Sequence, residues 1–461
     1  MKKGFTLIEL LAVIVILAII ALIATPIILG IINDVRVGAR ERSIDNIIHA
    51  AEMYYAKEYV KDPTRTNRIN IEEIKDEIKG EVPVSGYVII NNDGESIFNI
   101  KYKDKTYVKL TTGEIVEELN DSDKYYLKYA TQTNGETEPF LEGPKTKAQI
   151  EKVITVPTNK VPSDVIGYWD VTDTTNQSET GKVMAWYYDK DSNGLYEVYI
   201  GQEGRVKANP DSTRLFNFLI NAKEIDLTYL DTSNVVNMEA MFQRCENLEM
   251  ITGLENFDTS IVESMHRMFS VCTNLKEIDV SNFDTSNVEN MKFMFAGFNV
   301  DNVEYYMQLE RIIGLENFDT SQVTDMYGMF QRCSNLTTLD LRSFDTSQVT
   351  DMTNMFWGCS SLTELDVSDF DTSKVTNMKT MFSRCSSLTM LDLRKWDTSQ
   401  VTDMSNMFNA TINLKPIYIG EKWKTVDTSA NLFSSNALTK SVDEMCGPNS
   451  THSWCLVTQT N

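Results

Sequence analysis

Histidine is almost missing from this chain: His49, His266 and His452 are the three it carries, and they lie far apart in the sequence. That scarcity removes the commonest general base and metal ligand. No Cys-x-x-Cys pair occurs among the seven cysteines, so no zinc framework is visible. No glycine-rich phosphate loop is present either. Positive charge is short, with 43 Lys and Arg against 66 Asp and Glu, a formal net charge of −23. The sequence pI of about 4.6 argues against nucleic-acid binding through a basic surface. These absences lead to the expectation of a protein that is not an enzyme and needs no cofactor or metal.

What is present is distributed unevenly. The chain has 461 residues, enough for two or three domains, and its 42% hydrophobic content is that of a folded protein. From Leu10 to Ile32 the sequence is apolar apart from Thr25, Pro26 and Gly30. As a helix this run would span roughly 35 Å at about 1.5 Å per residue, enough to cross a hydrocarbon core. Lys2 and Lys3 precede it and predict a cytoplasmic N-terminal end, with the bulk of the chain outside. Nothing after the run reads as the small-residue cleavage site of a secretory signal.

Glu9 stands just inside this run, where a carboxylate costs on the order of 2.5–3.5 kcal/mol at the centre of a membrane helix. A cut between Gly4 and Phe5 would create an amine on Phe5, four residues before Glu9 and on the same helix face. That amine can neutralise the carboxylate within one subunit or between subunits. The stretch Lys2-Lys3-Gly4, Phe5-Thr6-Leu7-Ile8-Glu9 and the apolar run that follows resemble the leader of type IV prepilins and pseudopilins. The resemblance implies cleavage at Gly4–Phe5 and N-methylation of Phe5 by a prepilin peptidase. It implies that Glu9 meets a neighbouring subunit during assembly, and that the partners include other pilin subunits and the assembly machinery. Residues 5–32 would hold the protein in the cytoplasmic membrane before assembly. Pro26 falls where such helices bend, since proline removes a helical hydrogen bond.

After Asn33 the pattern becomes amphipathic: Ile44, Ile47, Ile48, Ala51, Tyr54, Tyr55 and Tyr59 recur at helical spacing. The alternating stretch from Ser85 to Leu119, broken at Asn92-Asp93-Gly94 and Lys103-Asp104-Lys105, predicts a three-stranded antiparallel meander. The expected order is therefore a leader at 1–4, a transmembrane and pilin helix at 5–60, and a pilin-like β head at 61–130. A proline-bearing linker at 131–165 follows, then a cap leading into a repeat array at 166–224. Asp189, Asp191, Asn193 and Gly194 imitate the start of a calcium loop, but its twelfth position is Ile200, so a hairpin turn is the better reading.

The array itself is read over 225–435, with a C-terminal cap at 436–461. Asp-Thr-Ser units begin at Asp231, Asp258, Asp284, Asp319, Asp345, Asp371 and Asp397, spaced 27, 26, 35, 26, 26 and 26 residues apart. One repeat thus carries an insertion of about nine residues. Each unit continues Val-x-x-Met-x-x-Met-Phe-x-x-Cys-x-x-Leu-x-x-Leu-x-Leu, with tolerated changes. The spacings of three and four predict an apolar helical stripe, with capping boxes at Ser260–Glu263 and Ser286–Glu289, and then a short strand. One unit cannot bury its own stripe, so neighbours must stack. The array resembles the BspA-like leucine-rich repeat surface proteins of bacteria over about 166–435. The expected fold class is α+β: a long N-terminal helix with a small antiparallel sheet, followed by an α/β leucine-rich-repeat-like solenoid.

Cys245, Cys272, Cys333, Cys359 and Cys385 share one repeat position that is Phe298 and Thr411 in other copies, which marks a packing slot. Cys446 and Cys455 lie outside the array, and an exported setting predicts a loop-closing disulfide between them. Residues 221–410 hold 29 Asp and Glu against 13 Lys and Arg. The aligned Asp residues read as turn chemistry first and as a weak calcium ladder second. Arg332, Trp357 and Arg384, at matching or adjacent offsets in three consecutive repeats, are the candidate ligand contacts because Trp and Arg are hot-spot residues. The function expected is a minor type IV pilin-like subunit that presents the array at the cell or pilus surface to a host or surface protein. The alternatives are a pseudopilin of a secretion or DNA-uptake system, and an uncleaved membrane-anchored repeat receptor.

Overall fold

The computed structural model of the chain describes residues 42–61, 68–79, 81–90, 96–102, 106–110, 115–118, 125–128, 146–173, 181–300, 303–414, 417–424, 432 and 456–458. The chain divides into two compact units, 1–108 and 109–461. The apolar run at 10–32, with Gly4, Phe5, Glu9 and Pro26, lies outside the described residues, as do Cys446 and Cys455. No helix among the described residues is long and apolar enough to cross a membrane.

The first unit begins with α1 over 42–59. Its buried residues, Ile44, Ile47, Ala50 and Ala51, are the amphipathic stripe seen in the sequence, and they share a core with Val88, Phe98 and Ile100. A sheet follows of β1 (Arg68–Asn70), β2 (Ser85–Ile90), β3 (Ser96–Lys101), β4 (Thr106–Lys109) and, past residue 108, β5 (Ile115–Glu118), paired in that order, with the short helix α2 (Ile71–Ile74) after β1. β2 pairs antiparallel with both β1 and β3. The sheet has two strands more than the expected three: the stretch from Ser85 to Leu119 forms four strands, β2 to β5, and β1 adds to one edge, where only Ile69 of its three residues is fully buried, too little for alternation to reveal.

The second unit opens on a six-stranded mixed sheet. Its members are β6 (Ile150–Val156), β7 (Gly167–Asp170), β8 (Met184–Tyr188), β9 (Tyr196–Gly201), β11 (Glu224–Asp226) and β13 (Met250–Thr252), with β10 (Val206–Lys207) and β12 (Leu230–Asp231) paired beside it. The spatial order is β13-β11-β6-β9-β8-β7. The linker expected at 131–165 is corrected here. β6 lies in the middle of this sheet, parallel to both β9 and β11, with Ile150 and Val153 fully buried. The prolines that suggested a linker flank the strand rather than interrupt it. The turn at Asp189–Gly194 joins β8 to β9, and Asp189 accepts backbone N–H bonds from Asn193 and Gly194.

Beyond the sheet the repeats follow one another as stacked coils. Parallel bridges join Asp211, Asn237, Ser264, Asn290, Asp325, Asp351, Asn377 and Asp403 in succession. The first of these precedes the first Asp-Thr-Ser unit, so Asp211–Leu219 is an additional coil. The sequence hid it because Ser212 and Leu215 stand where later coils carry the two methionines. Lys147, buried ahead of β6, donates to the backbone carbonyl of Asn217 at 2.7 Å and so caps this coil's open edge.

The helical stripe expected in each repeat does not form. In every coil the residue before the second Met is left-handed, for example Ala240, Arg267, Asn354 and Thr380, at φ 53–58°. A residue just before the Cys slot is left-handed as well in most coils, as at Arg244, Arg332 and Arg384. Alternate amides of the segment donate to the next coil: Met238 to Ser264, Ala240 to His266, Phe242 to Met268 and Arg244 to Ser270, at 2.7–3.0 Å. The amides between them close tight turns, as from Met241 to the Met238 carbonyl. Backbone hydrogen bonds that a helix would keep inside one segment are spent on the neighbouring coil. The inward positions keep the same spacing either way, which is why periodicity alone suggested helix. The strand half of the expected repeat is found in several coils, as in the parallel pairs β11–β13, Glu277–Asp279 with Arg311–Ile313, and Leu391–Leu393 with Ile417–Ile419. The fold is thus mixed α and β with short strands and few helices among the described residues.

One apolar core runs from Leu127 to Leu432. Phe216, Phe242, Phe269, Phe295, Phe330, Phe356, Phe382 and Phe408 form a column of near-parallel rings, with neighbouring centroids 5.4–5.9 Å apart. The Asp-Thr-Ser units stack beside it. Each buried Thr donates to the backbone carbonyl of the next unit, as from Thr320 to Asp345, Thr346 to Asp371 and Thr372 to Asp397, at 2.9–3.0 Å.

Candidate recognition surface on the repeats

The turn chemistry of the coils settles where side chains point. In each Asp-Thr-Ser unit the Asp carboxylate accepts the N–H of the Ser two residues on, from Ser233 at Asp231 to Ser399 at Asp397. Ser260 and Ser286 bond back to Asp258 and Asp284 in this way, in place of the expected capping boxes. A second row that sequence reading missed runs through Asp211, Asn237, Ser264, Asn290, Asp325, Asp351, Asn377 and Asp403. Each again accepts the N–H two residues on, as from Tyr327 at Asp325. The signal was an Asp, Asn or Ser always standing one residue before the first Met. No cluster of three or more metal-ligating side chains is found among the described residues.

The cysteine column packs as expected. Cys245, Cys272, Cys333, Cys359 and Cys385 are buried and unbonded, and each thiol donates to a Phe carbonyl of the preceding coil at 3.1–3.2 Å. Burial pushes the Cys359 thiol up to about 12 and raises those of Cys272, Cys333 and Cys385. Thiols held protonated in this way are poor nucleophiles and metal ligands.

The three candidate contacts come together. The half-buried Trp357 ring has the Arg332 guanidinium 4.6 Å from its centroid and that of Arg384 at 5.4 Å. Left-handed backbone at Arg332 and Arg384 presents both side chains on the same surface as the Trp between them. Arg332 also reaches Tyr306 at 4.9 Å, pairs with Glu304 at 3.2 Å and donates to the Phe298 carbonyl. The Tyr306 hydroxyl, and then Arg332, hold the Glu304 carboxyl below the usual range.

Glu304 and Tyr306 belong to the insertion that lengthens one repeat. It forms a hairpin of Asn299–Val300 against Val303–Glu304 and returns to the coils at Met307, which bridges Cys333. Gly297 makes room for it: a Cβ there would meet the Tyr305 carbonyl oxygen at 2.2 Å. Tyr305 also lies over Arg244, whose guanidinium is 4.8 Å from the Phe218 ring. Arg267 is held between Phe293 and Phe298 at 5.4 and 5.3 Å, and burial lowers its pKa. The insertion therefore joins the isolated arginines into one arginine and aromatic surface, built on the Met-Phe face of the coils. A separate shallow cavity of about 570 Å³ lies on the strand side, lined by Glu277, Glu310, Arg311, Asn335, Thr337 and Ser361.

Residues 1–25 match the prokaryotic N-terminal methylation motif. The chain carries a prepilin-type N-terminus. That motif implies processing by a prepilin peptidase and assembly with pilin machinery, and with it membrane anchoring followed by surface exposure. Residues 211–312 and 298–423 match the family described as Mycoplasma protein of unknown function, DUF285, a BspA-like repeat family. The match begins at Asp211, the first coil of the structure, and its two parts overlap at the insertion. Comparison with curated proteins and with solved structures returned no match.

Proposed function

We propose that this chain is a minor type IV pilin-like subunit that carries its stacked coils, a leucine-rich-repeat-like solenoid, outside the cell as a head for adhesion or protein binding. The role is display rather than catalysis. The observation that carries the reading is the pairing, in one chain, of a methylation motif at 1–25 with a repeat family match over 211–423. An assembly signal at one end and a rigid, extended surface at the other suit a subunit that holds something away from the membrane. The coils supply that rigidity through continuous ladders of backbone and Thr hydrogen bonds. A head this large suits an occasional or terminal position in a filament better than a repeating one.

Within this reading, Gly4–Phe5 is the processing site, Glu9 pairs with an N-terminal amine during assembly, and Pro26 permits a bend. Cys446 and Cys455 close a C-terminal loop. Immunogold labelling of intact cells with an antibody against the repeats tests the proposal. Label on extended fibres or their tips is expected. Label confined to the envelope would replace it with a short pseudopilus of a secretion or uptake system.

A further inference from the structure

Arginines of the array on both faces are paired with carboxylates. On the strand side each is neutralised nearby: Arg311 by Glu277 at 3.0 Å, Arg342 by Asp340 at 2.6 Å and Arg394 by Asp392 at 2.5 Å. On the Met-Phe face Arg244 pairs with Glu246 at 2.9 Å and Arg332 with Glu304 at 3.2 Å, so Arg384 stands apart from them. Arg384 is exposed, and among the described residues its guanidinium has no hydrogen bond and no ion pair; its contact is the Trp357 ring. Beside it Arg332 is 3% exposed, and its Nε is buried without a hydrogen-bond partner. In a chain with a formal charge of −23, an exposed arginine that makes no ion pair of its own is conspicuous, even with the Glu304 carboxylate near enough to feel its charge.

Resting on the recognition role proposed above, the geometry points to an acidic peptide segment of a partner protein as what this surface binds. Arg384, exposed and held with its guanidinium 5.4 Å from the centre of the Trp357 ring, takes the carboxylate, while Arg332, buried and paired with Glu304, supports the same ring with Tyr306 alongside. A planar guanidinium fixed on an aromatic face loses little freedom when it takes a carboxylate in bidentate fashion. Trp, Tyr and Arg together are the composition of a binding hot spot. The acidity of the rest of the array decides between anions. Residues 221–410 carry 29 acidic against 13 basic side chains. Their field reaches a neighbouring ligand within a Debye length of roughly 8–10 Å. A dense polyanion such as heparin or DNA meets that repulsion along its whole length, whereas a short peptide can place its few carboxylates at the arginines alone.

The test uses the full chain in detergent and a biotinylated hexaglutamate peptide, with hexaglutamine, heparin and single-stranded DNA as competing probes. Hexaglutamate binding that weakens with salt is expected, reduced at least tenfold in Arg384→Glu and unchanged in Arg342→Glu, whose parent arginine is already paired. Circular dichroism identical to the parent chain excludes misfolding of the exposed-site variant. Hexaglutamate held no better than hexaglutamine would overturn the inference, as would equal losses in the two variants. Tighter binding of heparin or DNA would replace the acidic peptide with a polyanion. None of these results touches the fibre labelling, so the two readings fail separately.

Discussion

Removing one hydroxyl from the Thr column is a sharp test of how the coils are held together. Thr372 is 1% exposed; its Oγ1 donates to the Asp397 carbonyl at 3.0 Å and accepts the Asp397 N–H at 2.9 Å. Thr372→Val keeps the shape and deletes both bonds, leaving a donor and an acceptor of the next coil to find new partners. Each buried group left unpaired costs about 1–3 kcal/mol. Asp397 is half-buried, so water recovers part of this, and a net loss of about 2 kcal/mol is expected. The control is Thr363→Val: Thr363 is exposed and its Oγ1 meets the Thr337 carbonyl at 3.3 Å, so its loss should stay below about 0.5 kcal/mol. Amide hydrogen exchange is the right assay, because an array opens locally. Exchange at Asp397 should speed up roughly 30-fold in Thr372→Val, from about 1.4 kcal/mol per factor of ten. Equal exchange in the two variants would refute the claim that the Thr column joins the coils.

Other outcomes follow from the same structure. The coil thiols should resist iodoacetamide at pH 8 in the folded chain and react only after denaturation, since burial raises Cys272, Cys333, Cys359 and Cys385; labelling counted by mass spectrometry checks this. Arg342 and Arg394 hold Asp340 and Asp392 below the ordinary carboxylate value near 4, and the Ser373 amide holds Asp371. A depressed carboxylate adds stability that is fully present above its unfolded value. Denaturation midpoints should therefore stay level above about pH 5 and fall as acid protonates these groups. Gly297→Ala should detach the hairpin without unfolding the array, read as increased proteolysis between 298 and 306, because the added methyl collides with the Tyr305 carbonyl. Glu9→Ala should leave Gly4–Phe5 cleavage intact and block incorporation into filaments, seen by blotting sheared fibres; normal incorporation would contradict the pairing.

Much of this molecule was legible in the sequence, though for uneven reasons. The Met, Phe and Cys positions were read correctly as core because burial depends on which residues face inward, and the spacing states that directly. Their secondary structure was misread because Val235, Met238, Met241, Phe242 and Cys245 face inward equally well from a helix or from this run of tight turns. What separates the two is the left-handed backbone at Ala240 and Arg244. Neither is a glycine, so the sequence carried no sign of it. β6 was missed because prolines on either side masked a short buried run. The first coil was missed because Ser212 and Leu215 replace its methionines. Arg332, Trp357 and Arg384 stand out in the sequence as substitutions at variable positions of a repeat, and the structure brings the three side chains together. The hairpin's part in that surface was not legible, since nothing in the residues of 298–306 says which way the insertion folds.

The central claim is that a repeat-bearing head is built onto a processed, pilin-type N-terminus. Mass spectrometry of the N-terminal peptide, from protein isolated from its own cells, tests it most directly. A chain beginning at N-methylated Phe5 is the expected result; a chain that retains Met1 to Gly4 would contradict the account.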